Sequence, residues 1–364
     1  MKPINQIEPW IDKSELKELK RVVKSTFVSE HLLNKEFEDL IKTITKSPHA
    51  VSMTNGTAAI FCALKALGIG EGDEVIVPNM TFIASSNAVI FAGATPVLCD
   101  IDENSMCMSA QEVARVITSK TKAIMPVHLY GRSCDMNSLT KLADKFNIKI
   151  IEDAAQGMGV LYKGQHVGTL GDVGILSFYA NKTITCGEGG VVLSKDKKII
   201  EDCYRMKNHG RSQKGVFVHE SIGFNFCFTE MQAAVGVSQL KKLKKVIKKK
   251  EQIYNFYHQN IDNGFLQKIP IEGYTQPVHW FASFFTDHKE AFKKYLSRYD
   301  IQTREFFYPL SLQPCYKDSK LINVDGDFPM SEKVFRRGIS LPSSYNISKR
   351  QLNYICKTIN KFNP

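Results

Sequence analysis

Apolar positions between residues 49 and 154 come in short unbroken runs rather than in alternation. "HAVSM" (49–53), "DEVIVP" (73–78), "TPVLCDI" (95–101), "KAIMPVHL" (122–129) and "IKIIEDA" (148–154) are the clearest. Such runs predict strands covered on both faces, because a strand with one wet face would alternate. Between them, "TAAIFCALKALG" (57–68), "TFIASSNAVIFAG" (81–93) and a stretch near 135–146 carry helical spacing. Strand and helix in turn predict a mostly parallel sheet with helices on both sides, a three-layer α/β/α sandwich.

After residue 190 the pattern changes. "TEMQAAVGVSQLKKLKKVIKKKEQIYNFYHQNI" (229–261) predicts one long helix, opened by Thr229 and Gln232 as the two halves of a capping box. Beyond it, "HWFASFFTD", "HKEAFKKYLSRY" and "REFFYPL" are aromatic-rich and mixed in pattern. A chain of 364 residues exceeds what one core usually serves. The expectation is a large domain over 1–240, whose N-terminal segment can pack on the second unit, and a smaller C-terminal α+β domain over 241–364.

Composition adds mainly exclusions. The first twenty-five residues are charged throughout, without the apolar stretch of a secretory signal, and no run has the length of a membrane span. Nine cysteines, none in a C-x-x-C pair, argue against a disulfide framework or a zinc site and point to a reducing, cytoplasmic setting. The formal charge is +11, much of it in "KKLKKVIKKK" (241–250). Leu243 and Ile247 keep helical spacing through that run and no aromatic or Arg-Gly motif interrupts it. It therefore predicts a solvated helix face rather than a nucleic-acid patch. A positive excess still suits a polyanionic small substrate.

Candidate chemistry is local. "GIGEGD" (68–73) follows a helix and is spaced G-x-G-x-G, so it fails as a dinucleotide turn. "MTNGTAA" (53–59) ends a strand and starts a helix, so the N–H groups of Gly56 and Thr57 would offer an anion site, the plain alternative being a strand-to-helix turn that binds nothing. Asp153 stands at the carboxyl end of the strand "IKIIEDA", the edge where ligands of parallel sheets sit; capping the next helix is the plain alternative. In "SFYANKTITCGEGG" (177–190), Lys182 lies among an aromatic, hydroxyls and glycine-rich backbone. Enclosure there would lower its pKa and favour the neutral amine that forms a Schiff base. A phosphate cradle, a strand-end carboxylate and a lysine are together what pyridoxal phosphate requires.

Four ordered motifs carry a family likeness: "NGTAAIFCALKALGIGEGDEVIVPNMTFIASSNA", "IIEDAAQGMG", "GDVGILSFYANKTITCGEGG" and "GFNFCFTEMQAAVGVSQL". The chain resembles the DegT/DnrJ/EryC1/StrS sugar aminotransferases, fold-type I pyridoxal-phosphate enzymes. The resemblance implies Lys182 as the cofactor lysine and general base, and Asp153 as partner of the pyridine nitrogen. It implies Gln156 near the ring hydroxyl, Gly56, Thr57 and Ser177 on the phosphate, and Phe82 stacked on the ring. Asn225 would reach the phosphate of a neighbouring subunit, making a homodimer. Many relatives read N-x-R where this chain has Asn225-Phe226-Cys227, and a dehydratase branch carries histidine in place of Lys182.

"REFFYPL" (304–310) is similar to a segment of perosamine synthases and makes Arg304, Phe307 and Tyr308 candidates for substrate contact. The implied reaction moves an amino group from glutamate to the C4 ketone of a nucleotide-linked 4-keto-6-deoxyhexose. A GDP sugar of the manno series would give perosamine; a UDP or dTDP sugar of the gluco series would give viosamine. A pyridoxal-phosphate-binding regulator without catalysis is a competing class, against which Lys182, Asp153 and Gln156 together speak.

Overall fold

Seven strands make the central sheet in this computed structural model, which describes residues 3–213, 215–317 and 319–364. Helices α1 (Lys13–Ser25) and α2 (Leu32–Thr45) precede it. Then follow β1 (His49–Met53), α3 (Gly56–Ala66), β2 (Glu74–Pro78), α4 (Ala84–Phe91), β3 (Thr95–Cys99), α5 (Ala110–Val116), β4 (Thr121–Ile124), α6 (Met136–Phe146) and β5 (Lys149–Asp153). A small hairpin, β6 (Leu161–Tyr162) and β7 (Gln165–His166), leads to β8 (Val173–Ser177), β9 (Gly190–Ser194) and α7 (Lys197–Lys207). The strand order is β1-β9-β8-β5-β4-β2-β3. Only β9 runs against the rest, pairing antiparallel with β1 and β8. Every residue of β8 and β9 is buried, as their unbroken apolar runs require.

Two elements depart from the pattern reading for identifiable reasons. The run 122–129 leaves the sheet after Ile124, since Pro126 has no N–H for the ladder. Its carbonyl still accepts from Asp153 N at 2.9 Å, and His128 N donates to Asp153 O at 3.0 Å, so the segment braces the end of β5. Helix α4 begins at Ala84 rather than at 81, and Phe82 stands free of it.

Helix α8 (Glu230–Asn260) opens on Thr229 with both halves of the capping box formed. Its first half, from Ala233 to Val246, packs in the core beneath the large sheet; Ile253 and Tyr257 lie in a separate core with Phe284, Ile339 and Leu341. That second core backs a four-stranded antiparallel sheet of β10 (Gln267–Lys268), β12 (Ala282–Phe285), β13 (Arg304–Glu305) and β14 (Gly338–Leu341), in the order β10-β12-β14-β13. Strand β11 (Thr275–Gln276) instead joins the β6–β7 hairpin. The N-terminal segment lies against the second unit, Ile4 N donating to Asp300 O and Gln302 N to Ile4 O.

The lysine run corrects the expectation of a wholly solvated face. Lys241, Lys244, Lys245 and Lys248 are exposed, but Lys242 and Lys250 are buried. Lys242 sits between Asp12 and Glu15, and Lys250 donates to Trp280 O at 2.9 Å and Ser343 O at 3.4 Å. All nine cysteines are free. Among the described residues no helix is long and apolar enough to cross a membrane, and no group of three His, Cys, Asp or Glu is placed to hold a metal.

Candidate active site

The carboxyl ends of β1, β5 and β8 open on one side of the sheet, and the chain leaving each contributes to a single cavity of about 540 Å³. Gly56, Thr57, Phe82, Asp153, Gln156, Ser177, Lys182, Arg304 and Phe307 all line it. A cavity of about 570 Å³ elsewhere, lined by Thr140, Asp144 and Lys195, holds none of them.

The β1–α3 turn builds an anion cradle. Asn55 caps α3, its side chain accepting from Ala58 N at 2.8 Å, while the first N–H groups of the helix, those of Gly56 and Thr57, have no acceptor within it. Ser177 Oγ, at the end of β8, bonds to no described residue and faces the same turn. A Cβ at Gly56 would lie 3.1 Å from Ser177 Cβ and 3.3 Å from Oγ, so the close approach depends on glycine. Gly190 serves the same packing from the other side: a Cβ there would fall 2.3 Å from Asn55 O. The "GEGG" turn is thus backbone that lets β9 abut the cradle. Lys182 is carried on the loop between β8 and that turn.

Asp153 is buried and doubly held. Ser85 Oγ donates to its Oδ2 at 2.7 Å and Ala155 N to its Oδ1 at 3.0 Å. Its neighbour Glu152 points to the other face, where His128 Nε2 lies 2.8 Å away and the N–H groups of Gly168, Leu170 and Gly171 donate to it. Burial would raise the Glu152 carboxyl, but these partners hold it below its ordinary value. The end of β5 is therefore pinned on both sides, and Asp153 has little freedom to turn away from the cavity.

Lys182 is half-buried, with Nζ 4.8 Å from the centroid of the Trp280 ring. The Trp280 indole N–H donates to Asn181 O at 2.6 Å, tying the second unit to the lysine loop. Burial pushes the Lys182 amine down from 10.5 to about 8; Asp153 opposes that shift and Arg304 adds to it. Gln156 Oε1 accepts from Tyr130 N at 2.8 Å, and the Tyr130 hydroxyl accepts from Phe307 N at 2.8 Å. One residue thereby links the floor of the cavity to the strand that carries Arg304.

Phe82 is 55% exposed, its ring 5.9 Å from that of Phe307 across the mouth. Such an exposed aromatic beside a cavity is available to stack on a planar ligand. Two candidates lie elsewhere. Tyr308 is 43% exposed and turns its ring edge-on to Phe335, since successive side chains of an extended segment face opposite ways and Phe307 faces in. Asn225 is exposed, bridged to Asn208, and does not line this chain's cavity. Sequence reasoning missed Ser85 and Trp280. Ser85 lies in the first turn of α4 and Phe82 before it, so no helical spacing joins them, and nothing in the sequence brings Trp280 to Lys182.

These groups fit pyridoxal phosphate. The cradle offers unpaired N–H and O–H donors to a phosphate, the pinned carboxylate suits a protonated ring nitrogen, and the desolvated amine suits an aldehyde. The sequence profile of the DegT/DnrJ/EryC1/StrS aminotransferase family matches residues 9–360. The GDP-perosamine synthase of Escherichia coli O157:H7 is 38% identical, covering 100% of this chain and 99% of its own. Among solved structures, DesV of S. venezuelae superposes with a TM-score of 0.93 at 30% identity, over 99% of this chain and 98% of DesV. The PLP form of the sugar aminotransferase Spr1654 from Streptococcus pneumoniae gives 0.91 at 26%, over 98% of each chain.

Proposed function

The chain belongs to the DegT/DnrJ/EryC1/StrS aminotransferase family, and on that footing we propose that it moves an amino group from glutamate to C4 of a GDP-linked 4-keto-6-deoxyhexose. It is an aminotransferase that depends on pyridoxal phosphate. When bound, that cofactor carries the amino group between substrates and takes up electron density in its ring.

The observation that carries the reading is the convergence of Lys182, Asp153 and the Gly56–Thr57–Ser177 cradle on one cavity. In it, Gly56, Thr57 and Ser177 hold the phosphate and fix the cofactor's position. Asp153, oriented by Ser85 and Ala155, keeps the ring nitrogen protonated. Gln156 and Phe82, which also line the cavity, would stand beside the ring hydroxyl and against a ring face. Lys182, neutral in an appreciable fraction near pH 8, takes the proton from the donor carbon that bears nitrogen. In the second half of the cycle the same amine delivers a proton to C4 of the sugar. Trp280 and Phe307 wall the cavity from water. The GDP-sugar assignment draws on the 38% identity to a perosamine synthase and on Arg304 and Phe307, from the segment similar to those enzymes, lining the cavity.

The same reading makes the chain a homodimer in the cytoplasm. Phe217 and Ile222, 81% and 90% exposed, flank the segment leading to Asn225, which is free to enter a partner's cradle. The free cysteines accord with a reducing compartment. It also takes the large and small domains to meet within α8, near residue 240, where the helix passes from one core toward the other.

The test is a half-reaction followed by absorbance. Purified holoenzyme is converted by glutamate to its amino form, and GDP-, UDP- and dTDP-linked 4-keto-6-deoxyhexoses are added separately. Only the GDP sugar should restore the original spectrum. Restoration by a UDP or dTDP sugar instead would reassign the product to a viosamine type, and no response to glutamate would overturn the donor.

A further inference from the structure

The turn that carries Tyr130 lies behind the cavity wall and reaches both the floor and the mouth of the site. Tyr130 has φ 52° and ψ 30°, a left-handed conformation that aromatic residues seldom adopt. Seven other described non-glycine residues have a positive φ, and of those only Met106 is buried. A buried residue keeps such a conformation where its surroundings over-determine it. Here they do. The Tyr130 N–H donates to Gln156 Oε1 at 2.8 Å, and the Tyr130 hydroxyl accepts from Phe307 N at 2.8 Å. Its ring centroid lies 4.6 Å from that of Phe306, 5.4 Å from that of Phe307 and 6.3 Å from that of Trp280. Gln156, Phe307 and Trp280 line the cavity, whereas Tyr130 stands behind them.

We infer that Tyr130 is a positioning residue, which joins Gln156 on the floor of the cavity to Phe307 at its mouth and so sets the passage that the acceptor sugar must thread. The inference rests on the aminotransferase reading above. Gln156 commits its carbonyl oxygen to the Tyr130 N–H, which leaves the amide nitrogen as the end free for the cavity. At the other end, the phenol holds the Phe307 backbone just after the chain leaves β13, and the Tyr130 and Phe307 rings stack with an interplanar angle of 16°. Phe307 is thereby set with its ring 5.9 Å from that of Phe82 across the mouth. Burial pushes the Tyr130 hydroxyl up from its ordinary pKa, so it stays a neutral acceptor throughout the working range. An amino-acid donor fits wholly inside, beside Lys182. A nucleotide sugar must instead extend from the reacting C4 past Phe82 and Phe307. The placement of Phe307 therefore bears on the acceptor and hardly on the donor.

Tyr130→Phe tests this, since it keeps the ring and removes only the acceptor oxygen. Donor and acceptor half-reactions are followed separately on holoenzyme, with glutamate and with whichever nucleotide-linked 4-keto-6-deoxyhexose the wild type accepts. Rate constant over dissociation constant should fall roughly tenfold for the acceptor and change less than about twofold for glutamate. The matching nucleotide hexose with a C4 hydroxyl, which cannot react, should bind correspondingly more weakly by calorimetry. Hydrogen exchange of the peptide spanning Phe307 should quicken in the variant, whatever the substrate. Phe307→Ala should reproduce the acceptor loss and spare the donor, which supplies the test should Tyr130→Phe not fold. In that background Tyr130→Phe should cost the acceptor less than about twofold more, because no ring remains to be placed. An unchanged acceptor reaction in either single variant, equal losses with both substrates, a full further loss in the Phe307→Ala background, or unaltered exchange would each overturn the assignment. If wild-type enzyme reacts with neither glutamate nor any such sugar, the proposed function fails, and exchange at Phe307 still decides whether the Tyr130 hydroxyl holds that segment.

Discussion

In the proposed reaction Lys182 and Asp153 are the two residues whose chemistry is least replaceable, and they differ in how their roles can be read out. Lys182→Met removes the proton carrier, so transamination should fall by at least about 10³-fold; single-turnover absorbance with glutamate checks it. Asp153→Asn keeps the shape and loses the charge, for an expected drop of roughly 10²- to 10³-fold. Ser85→Ala should cost only about tenfold, because Ala155 N still holds the other oxygen. In cofactor-free protein, reaction of Lys182 with an amine-directed acylating reagent should rise through pH about 8 rather than 10.5. Arg304→Gln should move that midpoint upward, since a neighbouring positive charge is gone.

Lys250 makes a different statement. Burial without a counterion pushes it from 10.5 to about 7. Below pH 10.5 the unfolded chain takes up a proton there that the folded protein does not accept until about 7. Stability is therefore lost as pH falls across that window and not further below it, by on the order of a few kcal/mol. Lys250→Met should flatten the dependence of unfolding free energy on pH between 7 and 10, measured by denaturant titration against wild type. A slope identical to wild type would mean the amine is already charged in the native state.

At the level of elements, the site depends on how one turn meets one strand. Gly56 begins α3 at ordinary helical geometry, so alanine there is conformationally tolerable, yet its Cβ would crowd Ser177. Gly56→Ala should weaken phosphate binding, raising the cofactor's dissociation constant by roughly tenfold, with unfolding midpoints nearly unchanged. Equilibrium dialysis and thermal melts separate the two effects. These elements were legible because their signals are local: buried strands as apolar runs, α8 from its capping box, the cradle from a strand–turn–helix with Asn55-Gly56-Thr57. What misled were places where one residue overrides a pattern. Pro126 ended β4 early by withholding a donor, and α4 started late, leaving Phe82 on a loop instead of on a helix face.

For the whole molecule, the apolar arm at 216–224 is the feature that a single chain leaves unexplained. The proposed homodimer predicts a solution mass of twice 41.1 kDa by sedimentation. Phe217→Asp with Ile222→Asp should shift it toward monomer, and cofactor affinity should fall with it if Asn225 serves a partner's cradle. A monomer that keeps full affinity would remove Asn225 from the site. The exposed lysines of α8 carry no such expectation; oligonucleotide binding should be absent at 0.15 M salt.

The sequence by itself determined the sandwich and the long helix, and singled out Lys182, the strand-end carboxylate and the Gly56–Thr57 turn as candidates. Those follow from periodicity and from chemistry confined to a few adjacent residues. Tertiary structure alone decided which groups enclose them. Trp280 reaches Lys182 from nearly a hundred residues away, Ser85 finds Asp153 across a sheet edge, and the extended segment after β13 turns Phe307 toward the cavity and Tyr308 away from it. It also decided that two lysines of a run that looks solvated are buried, because Asp12 and Glu15 close over Lys242 and the segments carrying Trp280 and Ser343 close over Lys250. The physical reason is common to all of these. Local pattern encodes which face of an element is buried, whereas the pKa of an amine and the partner of a guanidinium depend on what other elements bring against that face.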